Sequence, residues 1–129
     1  MPVSITFDLH RRHATVAHTG AVEGRDLTDA VDLLYTSAQW QPGLNVLWDG
    51  SGITALVVEP GDIAGLVDAH ERHETHAAGS RNALLAVRAD DRLIAELFVT
   101  LSRRLTAAYR LFTDRDEALA WLDGADAAR

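Results

Sequence analysis

The sequence predicts an α/β domain with a mixed, mostly parallel sheet of about five strands flanked by helices. Two observations predict this class: a hairpin-like alternation at the N-terminus, and a regular succession of helical and strand patterns after it. The element order is β-β-α-β-α-β-α-β-α. Helical crossovers place neighbouring strands parallel, whereas the hairpin makes the sheet mixed. The 129 residues contain no linker or repeat, which predicts one domain at 1–124 and a C-terminal tail at 125–129.

The first two strands and the first helix follow from periodicity. Residues 3–9 alternate apolar and polar side chains, as a half-buried strand does. Residues 13–20 repeat this alternation after a short polar turn, which predicts a hairpin. From 24 to 38 the apolar residues recur every three or four positions, which predicts an amphipathic helix. Its apolar stripe is Leu27, Ala30, Val31, Leu34 and Ala38.

A short apolar segment at 44–49 predicts a central strand that is covered on both faces of the sheet. The segment Asp49-Gly50-Ser51-Gly52 follows it and predicts a turn, since Asp and Gly are common turn residues. A ligand site is the alternative there, because ligands bind beyond the carboxyl ends of parallel strands and glycines let a ligand approach the backbone.

Two further helices are predicted, with a buried strand at 82–87 between them. The first covers 60–76 and has a proline in its first turn, where proline is favoured. The second covers 90–105, is strongly amphipathic, and is expected to have Asp90 or Asp91 as its N-cap. The stripes that face the core are Ile63, Leu66, Val67 and His70 in the first, and Leu93, Ile94, Leu97, Phe98, Leu101 and Leu105 in the second.

The chain is predicted to end with a strand and a helix. Residues 109–112 are the strand. Thr113 and Asp116 resemble a capping box at the start of a helix over 114–122. Gly124 then ends that helix.

The composition excludes several kinds of chemistry. All 12 cationic side chains are Arg, so the chain has no Lys, and it also has no Cys. A Schiff-base lysine, a pyridoxal-phosphate attachment, a phosphate-loop lysine, a thiolate nucleophile and a Cys-ligated zinc are therefore excluded. We expect no cofactor. With 19 acidic residues the net charge is -7, which predicts no nucleic-acid partner because an acidic chain repels phosphate backbones.

The sequence also predicts the compartment. No apolar run reaches the roughly 18 residues of a transmembrane helix, so no membrane span is expected. The N-terminus lacks the charged region and apolar run of a signal peptide. Because the absence of Cys also fits a reducing environment, we expect a cytoplasmic protein.

Three local regions, together with the element order, carry a resemblance to a known family. They are residues 20–27 (GAVEGRDL), 46–49 (VLWD), and 110–114 (RLFTD) with 117–122 (EALAWL). The chain thereby resembles the STAS superfamily, and within it the SpoIIAA-like group of small stand-alone domains. The resemblance implies a mixed sheet flanked by helices, and a role in partner regulation or in binding small or lipid-like ligands, without enzyme activity.

One segment departs from the family pattern. Anti-sigma-factor antagonists carry an Asp-Ser-Ser-Gly-type segment, including the phosphorylated serine, at the start of the helix after the central strand. The corresponding residues here are 57–61, VVEPG, which contain no hydroxyl group. Regulation by phosphorylation at this position is therefore not expected.

His70, His73 and His76 stand out because imidazoles are common metal ligands. At about 100° per residue, His73 lies roughly 60° from His70 on a helix, whereas His76 lies about 120° from it. A metal site would therefore need a ligand from elsewhere, and solvation of the helix C-terminus is the favoured alternative. The candidates for that further ligand are His10, His13 and His18.

The leading functional prediction is a non-enzymatic regulatory or binding domain that binds an apolar small molecule or lipid-like ligand between the sheet and the helices at 60–76 and 90–105. His70 would be the polar group of this cleft, since it lies within an apolar stripe. The runner-up is a protein-interaction module, either a homodimer or the partner of a regulator. A metal-dependent hydrolase that uses His70 and His73 is a distant third. The predicted ligand-binding residues are Leu66, Val67, His70, Leu97, Phe98 and Leu101.

Overall fold

The computed structural model describes residues 3–124, which form a sheet of five strands with helices on both faces. The strands lie side by side in sequence order. The first strand is antiparallel to the second, and each later pair is parallel. The predicted mixed, mostly parallel sheet is therefore confirmed. The strands are β1 (Val3–Asp8), β2 (His13–Glu23), β3 (Asn45–Val57), β4 (Arg81–Leu85) and β5 (Ala108–Phe112).

The described helices are α1 (Gly24–Thr36), α2 (Pro60–Arg72), α3 (Glu74–Ala77), α4 (Ala89–Leu101) and α5 (Arg115–Leu122), and a 3-10 turn (Ser102–Arg104) follows α4. Helices α1, α2 and α4 cover one face of the sheet, whereas α5 covers the other. None of these helices within residues 3–124 combines the length and apolar character that crossing a bilayer requires.

Adjacent residues of the central strand β3 point to opposite faces of the sheet and fill separate cores. Val46 packs with Val31 of α1, whereas Leu47 packs with Trp121 and Leu122 of α5. This follows from strand geometry, in which successive side chains alternate in direction. Because Val46 and Leu47 are both buried, the predicted coverage of this strand on both faces is confirmed.

The predicted turn at 49–52 is wrong, because β3 continues through these residues. β2 is also longer than predicted and supplies a parallel partner for the extension, with Thr19 opposite Gly52. Glycine is needed for close approach here, since a Cβ at Gly50 would lie 2.9 Å from the carbonyl oxygen of Leu85. A glycine-rich segment that resembles a turn in isolation therefore continues a crowded strand.

Two predicted helices end earlier than expected. The helix predicted at 60–76 is interrupted at His73, which separates α2 from α3. The helix predicted at 90–105 changes to a 3-10 turn at Ser102. The backbone tightens at the first of these ends, where the N–H of His73 donates to the carbonyl oxygen of His70. Such bonds to the third preceding residue are common where an α-helix terminates.

The last helix is capped by Asp114, so the predicted Thr113 cap is wrong. The Asp114 carboxylate accepts a hydrogen bond from the backbone N–H of Asp116 at 2.9 Å. Asp is among the most favoured N-cap residues because its side chain satisfies an exposed backbone donor. The predicted tail at 125–129 lies outside the described residues.

Candidate ligand-binding cavity

An apolar cavity of about 100 Å³ lies between the sheet and helices α1, α2 and α4. Strands β2, β3 and β4 form its floor, and it opens to solvent on one side. Most of its wall consists of aliphatic and aromatic side chains, so an occupant would lose contact with water over most of its surface. Prominent wall residues are Val31, Trp48, Ile53, Leu84, Ile94 and Phe98.

Three of the predicted ligand-binding residues line this cavity, namely Leu66, His70 and Phe98. They come from α2 and α4, the helices between which the cleft was predicted. Val67 does not line the cavity but is buried beside it, where it packs against Phe98. The structure thus brings Phe98 together with residues of α2 that lie 28 to 32 positions earlier in the sequence.

The other two predicted residues, Leu97 and Leu101, lie outside the cavity. Their exposed fractions are 41% and 42%. Only one edge of the predicted stripe of α4 faces the sheet, so Ile94 and Phe98 line the cavity whereas Leu97 and Leu101 do not. Asp91 and Ala95 line the cavity beside them.

His70 is enclosed by aromatic rings and is 3% exposed. Its ring centroid lies 5.1 Å from that of Trp48, 5.1 Å from that of Phe98 and 5.2 Å from that of Tyr109. Its Nδ1 lies 3.2 Å from Tyr109 Oη, within hydrogen-bonding distance. Burial, with a smaller contribution from nearby His73, lowers the pKa of His70 to about 3. The imidazole is therefore neutral near pH 7.

The histidines of the predicted metal motif do not converge on one point. His73 Nε2 lies 2.8 Å from Asp32 Oδ1, and the His73 ring centroid is 5.7 Å from that of the exposed His76. His70 instead faces the cavity. Across residues 3–124, no three His, Asp or Glu side chains are grouped so that they could hold a metal ion.

Asp49, the alternative ligand residue from the sequence, has partners within the protein. Its carboxylate accepts hydrogen bonds from the backbone N–H of Ser51 at 2.9 Å and from the Ser51 hydroxyl at 2.6 Å. It also pairs with the Arg115 guanidinium. Burial opposes ionisation of Asp49, but these partners outweigh it and lower the pKa. Asp49 therefore ties β3 to the start of α5.

Asp91 lines the cavity, although the sequence suggested it only as an N-cap. That prediction is wrong, because the N-cap of α4 is Arg88 and Asp91 is the third helical residue. Asp91 is 3% exposed, and neither carboxylate oxygen has a hydrogen-bond partner. Arg88 Nη1 lies 3.5 Å from Oδ1, an ion pair without hydrogen-bond geometry. Burial raises the pKa of Asp91, while Arg88 opposes this shift and Asp90 adds to it.

His18 is a second polar group that the sequence did not assign to the cavity. It is 4% exposed, and its Nε2 has no hydrogen-bond partner. Burial lowers its pKa, with partial opposition from Asp26. A sequence signal existed, since His18 lies two residues after Val16 and therefore on the same face of β2 as the buried Ala14 and Val16. For Asp91 the signal was its helical spacing from the apolar residues at 94, 95 and 98.

Comparison with known proteins adds information on the fold. No protein-family model and no curated protein matches the sequence. The structure is similar to the crystal structure of an uncharacterised protein of the DUF3478 family with a SpoIIAA-like fold from Shewanella loihica PV-4. The TM-score is 0.58 at 16% identity, and the match covers 93% of this chain and 91% of that chain. The chain therefore has a SpoIIAA-like fold, as the sequence resemblance predicted.

Proposed function

We propose that this protein is a non-enzymatic, regulatory binding domain that takes up an apolar small molecule, or the end of a lipid-like ligand, in the cavity. The observation that carries this proposal is an apolar space of about 100 Å³ beside closely packed core clusters. Protein interiors leave few voids larger than a water molecule. An apolar void of about 150 Å³ holds benzene. This space is smaller but partly open to solvent, so a short alkyl chain would lie within it and a ring would extend towards the opening.

Burial of the ligand's apolar surface would drive binding. Each buried CH₂ group contributes about 0.8 kcal/mol, so a six-carbon group contributes about 5 kcal/mol before the entropic cost of association. The entropic cost of association reduces this gain. Because even a net 4 kcal/mol corresponds to only about a millimolar Kd, a fragment of this size would bind weakly. A longer ligand that leaves through the open side of the cavity would gain further contacts.

His70 would act as a fixed polar group in the cavity wall. Its aromatic neighbours hold the ring, and burial lowers its pKa to about 3. An imidazole with such a pKa is a weak base near pH 7 and is poorly suited to general-base catalysis, which works best with a pKa near the working pH. This environment favours a role in binding over a role in catalysis.

Ligand occupancy would be the regulatory signal. The segment 57–61 joins β3 to α2 and has no hydroxyl group to phosphorylate. A ligand that contacts α1, α2 and α4 together would alter how these helices pack, and a partner protein would respond to that change. The cytoplasmic location expected from the composition remains a prediction.

Titration of the isotope-labelled protein with toluene, followed by NMR, tests the proposal. The informative variant is Ala95→Leu, whose larger side chain extends from α4 into the cavity. We expect saturable binding to the wild type, with shifts at residues of the cavity wall. The variant should bind toluene at least about tenfold more weakly, because its own atoms take up the space.

Ala64→Leu is the matched control, because Ala64 is an exposed residue of α2. It should bind toluene as the wild type does. Absence of saturable binding to the wild type would contradict the proposal, and so would equal weakening in the two variants. If toluene binds as expected, native mass spectrometry of the purified protein would identify a resident ligand by its mass.

A protein-interaction role is the second candidate, and an exposed apolar ridge on α4 favours it. Leu93, Leu97 and Leu101 lie one helical turn apart along this ridge, and each is exposed. Contiguous exposed apolar surface commonly marks an interface. Light scattering of the wild type and Leu97→Glu tests the homodimer form: a dimer that the substitution dissociates supports it, and a monomer at all concentrations excludes it.

A further inference from the structure

Three described helices have an aspartate at their third residue, but only two of these aspartates make the expected capping bond. In α1, Asp26 Oδ2 accepts a hydrogen bond from the backbone N–H of Glu23 at 2.8 Å. In α2, Asp62 Oδ2 accepts one from the N–H of Glu59 at 2.8 Å. In α4, Asp91 occupies the same position without any hydrogen bond. Its carboxylate lines the cavity instead.

Burial without hydrogen bonds is unfavourable for a carboxylate, because the group loses its water without gaining a replacement. Asp91 is 3% exposed, so bulk solvent has little access to its carboxylate. His18 Nε2 is a second buried atom without a partner, and it belongs to the same cavity. Although His18 also has a hydrogen bond with the backbone of Asp26, an unpaired carboxylate and an unpaired imidazole nitrogen on the wall of one apolar space point to an occupant that supplies hydrogen bonds.

The charges around Asp91 indicate which head group the occupant has. Arg88 Nη1 lies 3.5 Å from the Asp91 carboxylate and offsets its charge. The N-terminus of α4, where Asp91 lies, is the positive end of the helix dipole. An ammonium group would add a positive charge beside the Arg88 guanidinium and the positive end of the helix dipole. A carboxylate would be repelled by Asp91. An uncharged hydroxyl donates to the carboxylate without adding charge, and His18 offers a second hydrogen-bonding position.

We propose that Asp91 is the recognition group of the cavity, and that the ligand is an uncharged apolar alcohol whose hydroxyl donates a hydrogen bond to the Asp91 carboxylate. This inference rests on the proposed function, since it assumes that the apolar cavity binds a ligand. The apolar body of the ligand would lie against Trp48 and Phe98, which line the same space. Asp91 would then select the head group, and the wall would select the size of the body.

Three probes of similar shape test the proposal: toluene, benzyl alcohol and benzylamine. Their Kd values are measured by NMR titration for the wild type and for Asp91→Leu, which removes the acceptor. The ratio of the toluene Kd to the benzyl alcohol Kd should fall about tenfold or more in the variant, because a hydrogen bond to a charged group has a net value of this size. Toluene and benzyl alcohol differ in their hydration free energies. This difference is the same for both proteins, so it cancels when the wild-type ratio is compared with the ratio for Asp91→Leu.

Two further variants keep the result interpretable. Asp91→Asn preserves the shape of the side chain and should lower the ratio by less than Asp91→Leu does, since an amide oxygen is a weaker acceptor. Asp90→Asn is the matched control on the exposed neighbour, and it should leave the ratio unchanged. Thermal unfolding of each variant, followed by circular dichroism, verifies that the fold is intact.

The possible failures are distinguishable. If toluene does not bind the wild type, the apolar cavity is not a binding site, and the proposed function fails together with the inference. If toluene binds but Asp91→Leu leaves the ratio unchanged, Asp91 is not the recognition group, and the proposed function stands alone. If benzylamine binds the wild type more tightly than benzyl alcohol does, the proposal that the ligand has an uncharged head group is wrong.

Discussion

The two faces of the sheet use their buried and half-buried polar groups in different ways. On the α5 face, polar groups connect elements: Asn45 Nδ2 donates to the carbonyl oxygen of Leu122 at 2.8 Å, and Arg81 Nη1 donates to that of Trp121 at 2.7 Å. On the face covered by α1, α2 and α4, the Asp91 carboxylate faces the cavity without hydrogen bonds. The α5 face therefore joins its elements by hydrogen bonds, whereas the cavity face contains both paired groups, such as Trp48 Nε1 with Asn82 Oδ1, and a carboxylate without hydrogen bonds.

This difference separates stability from function. Paired polar groups and closely packed side chains stabilise a fold, whereas a cavity and an unpaired buried carboxylate reduce its stability. Proteins commonly retain such unfavourable features where they bind ligands, because the binding site needs groups that the protein itself does not satisfy. Under the proposed function, the α5 face stabilises the fold and the cavity face binds the ligand.

The largest effect is expected from large-to-small substitutions on the two faces. Trp121 is buried in the α5 core, with its ring centroid 5.6 Å from that of Phe112 and the Arg81 guanidinium 5.2 Å from its centre. Trp121→Ala should lower the free energy of unfolding by about 3–5 kcal/mol, as measured by urea denaturation. Phe98→Ala should cost less, because Phe98 already borders the cavity. Equal losses would show that the faces are packed equally well.

Enlarging an alanine on each face should produce effects of opposite sign. Ala118 is fully buried in the α5 core, so Ala118→Leu should destabilise the protein by about 1–3 kcal/mol through overpacking. Ala95→Leu should stabilise the ligand-free protein by about 0.5–1 kcal/mol, because its added atoms fill existing space. Thermal unfolding of both variants measures the difference. Destabilisation by both substitutions would argue against a space that accepts added atoms.

The two buried carboxylates are expected to respond to pH with opposite signs. The pKa of Asp49 is lowered in the folded state, so its contribution to stability is present above the unfolded pKa of about 3.9 and is lost as the pH falls through the folded value. The pKa of Asp91 is raised in the folded state, so ionisation of Asp91 destabilises the fold, most fully above its folded pKa. This penalty disappears as the pH falls below about 3.9.

Asp49→Asn and Asp91→Asn test this contrast. Near neutral pH, the first should destabilise the protein and the second should stabilise it, each by about 1 kcal/mol. Both differences from the wild type should shrink as the pH falls towards about 3, where carboxylates become protonated. The free energy of unfolding, measured by urea denaturation across this range, gives both values. A loss of stability in Asp91→Asn near neutral pH would show that Asp91 is structurally satisfied.

Local periodicity was enough to predict the order of the elements. The alternation at 3–9 and 13–20 and the apolar segment at 44–49 each specify a strand from neighbouring residues alone. The continuation of β3 through Gly50 and Gly52 was not predictable in this way. Those residues extend because β2 provides a partner across the sheet, and that partner is distant in the sequence.

The residues that line the cavity were predicted in part, while their role in ligand binding stays a prediction. Leu66, His70 and Phe98 lie on the cavity wall as expected, because helical spacing identifies which residues share a stripe. Leu97 and Leu101 were misplaced, because the apolar stripe of α4 is wider than the surface that it buries. Spacing defines the stripe, but packing decides which part of it meets the sheet.

The sequence by itself determined the α/β class, the parallel crossovers and the lack of Lys and Cys chemistry, since these depend on composition and on short-range patterns. Only the tertiary structure decided that Asp91 and His18 line one apolar cavity, and that the Asp91 carboxylate oxygens and His18 Nε2 have no hydrogen-bond partner. Whether a buried polar group is satisfied depends on atoms contributed by distant segments of the chain, and no local pattern records their positions.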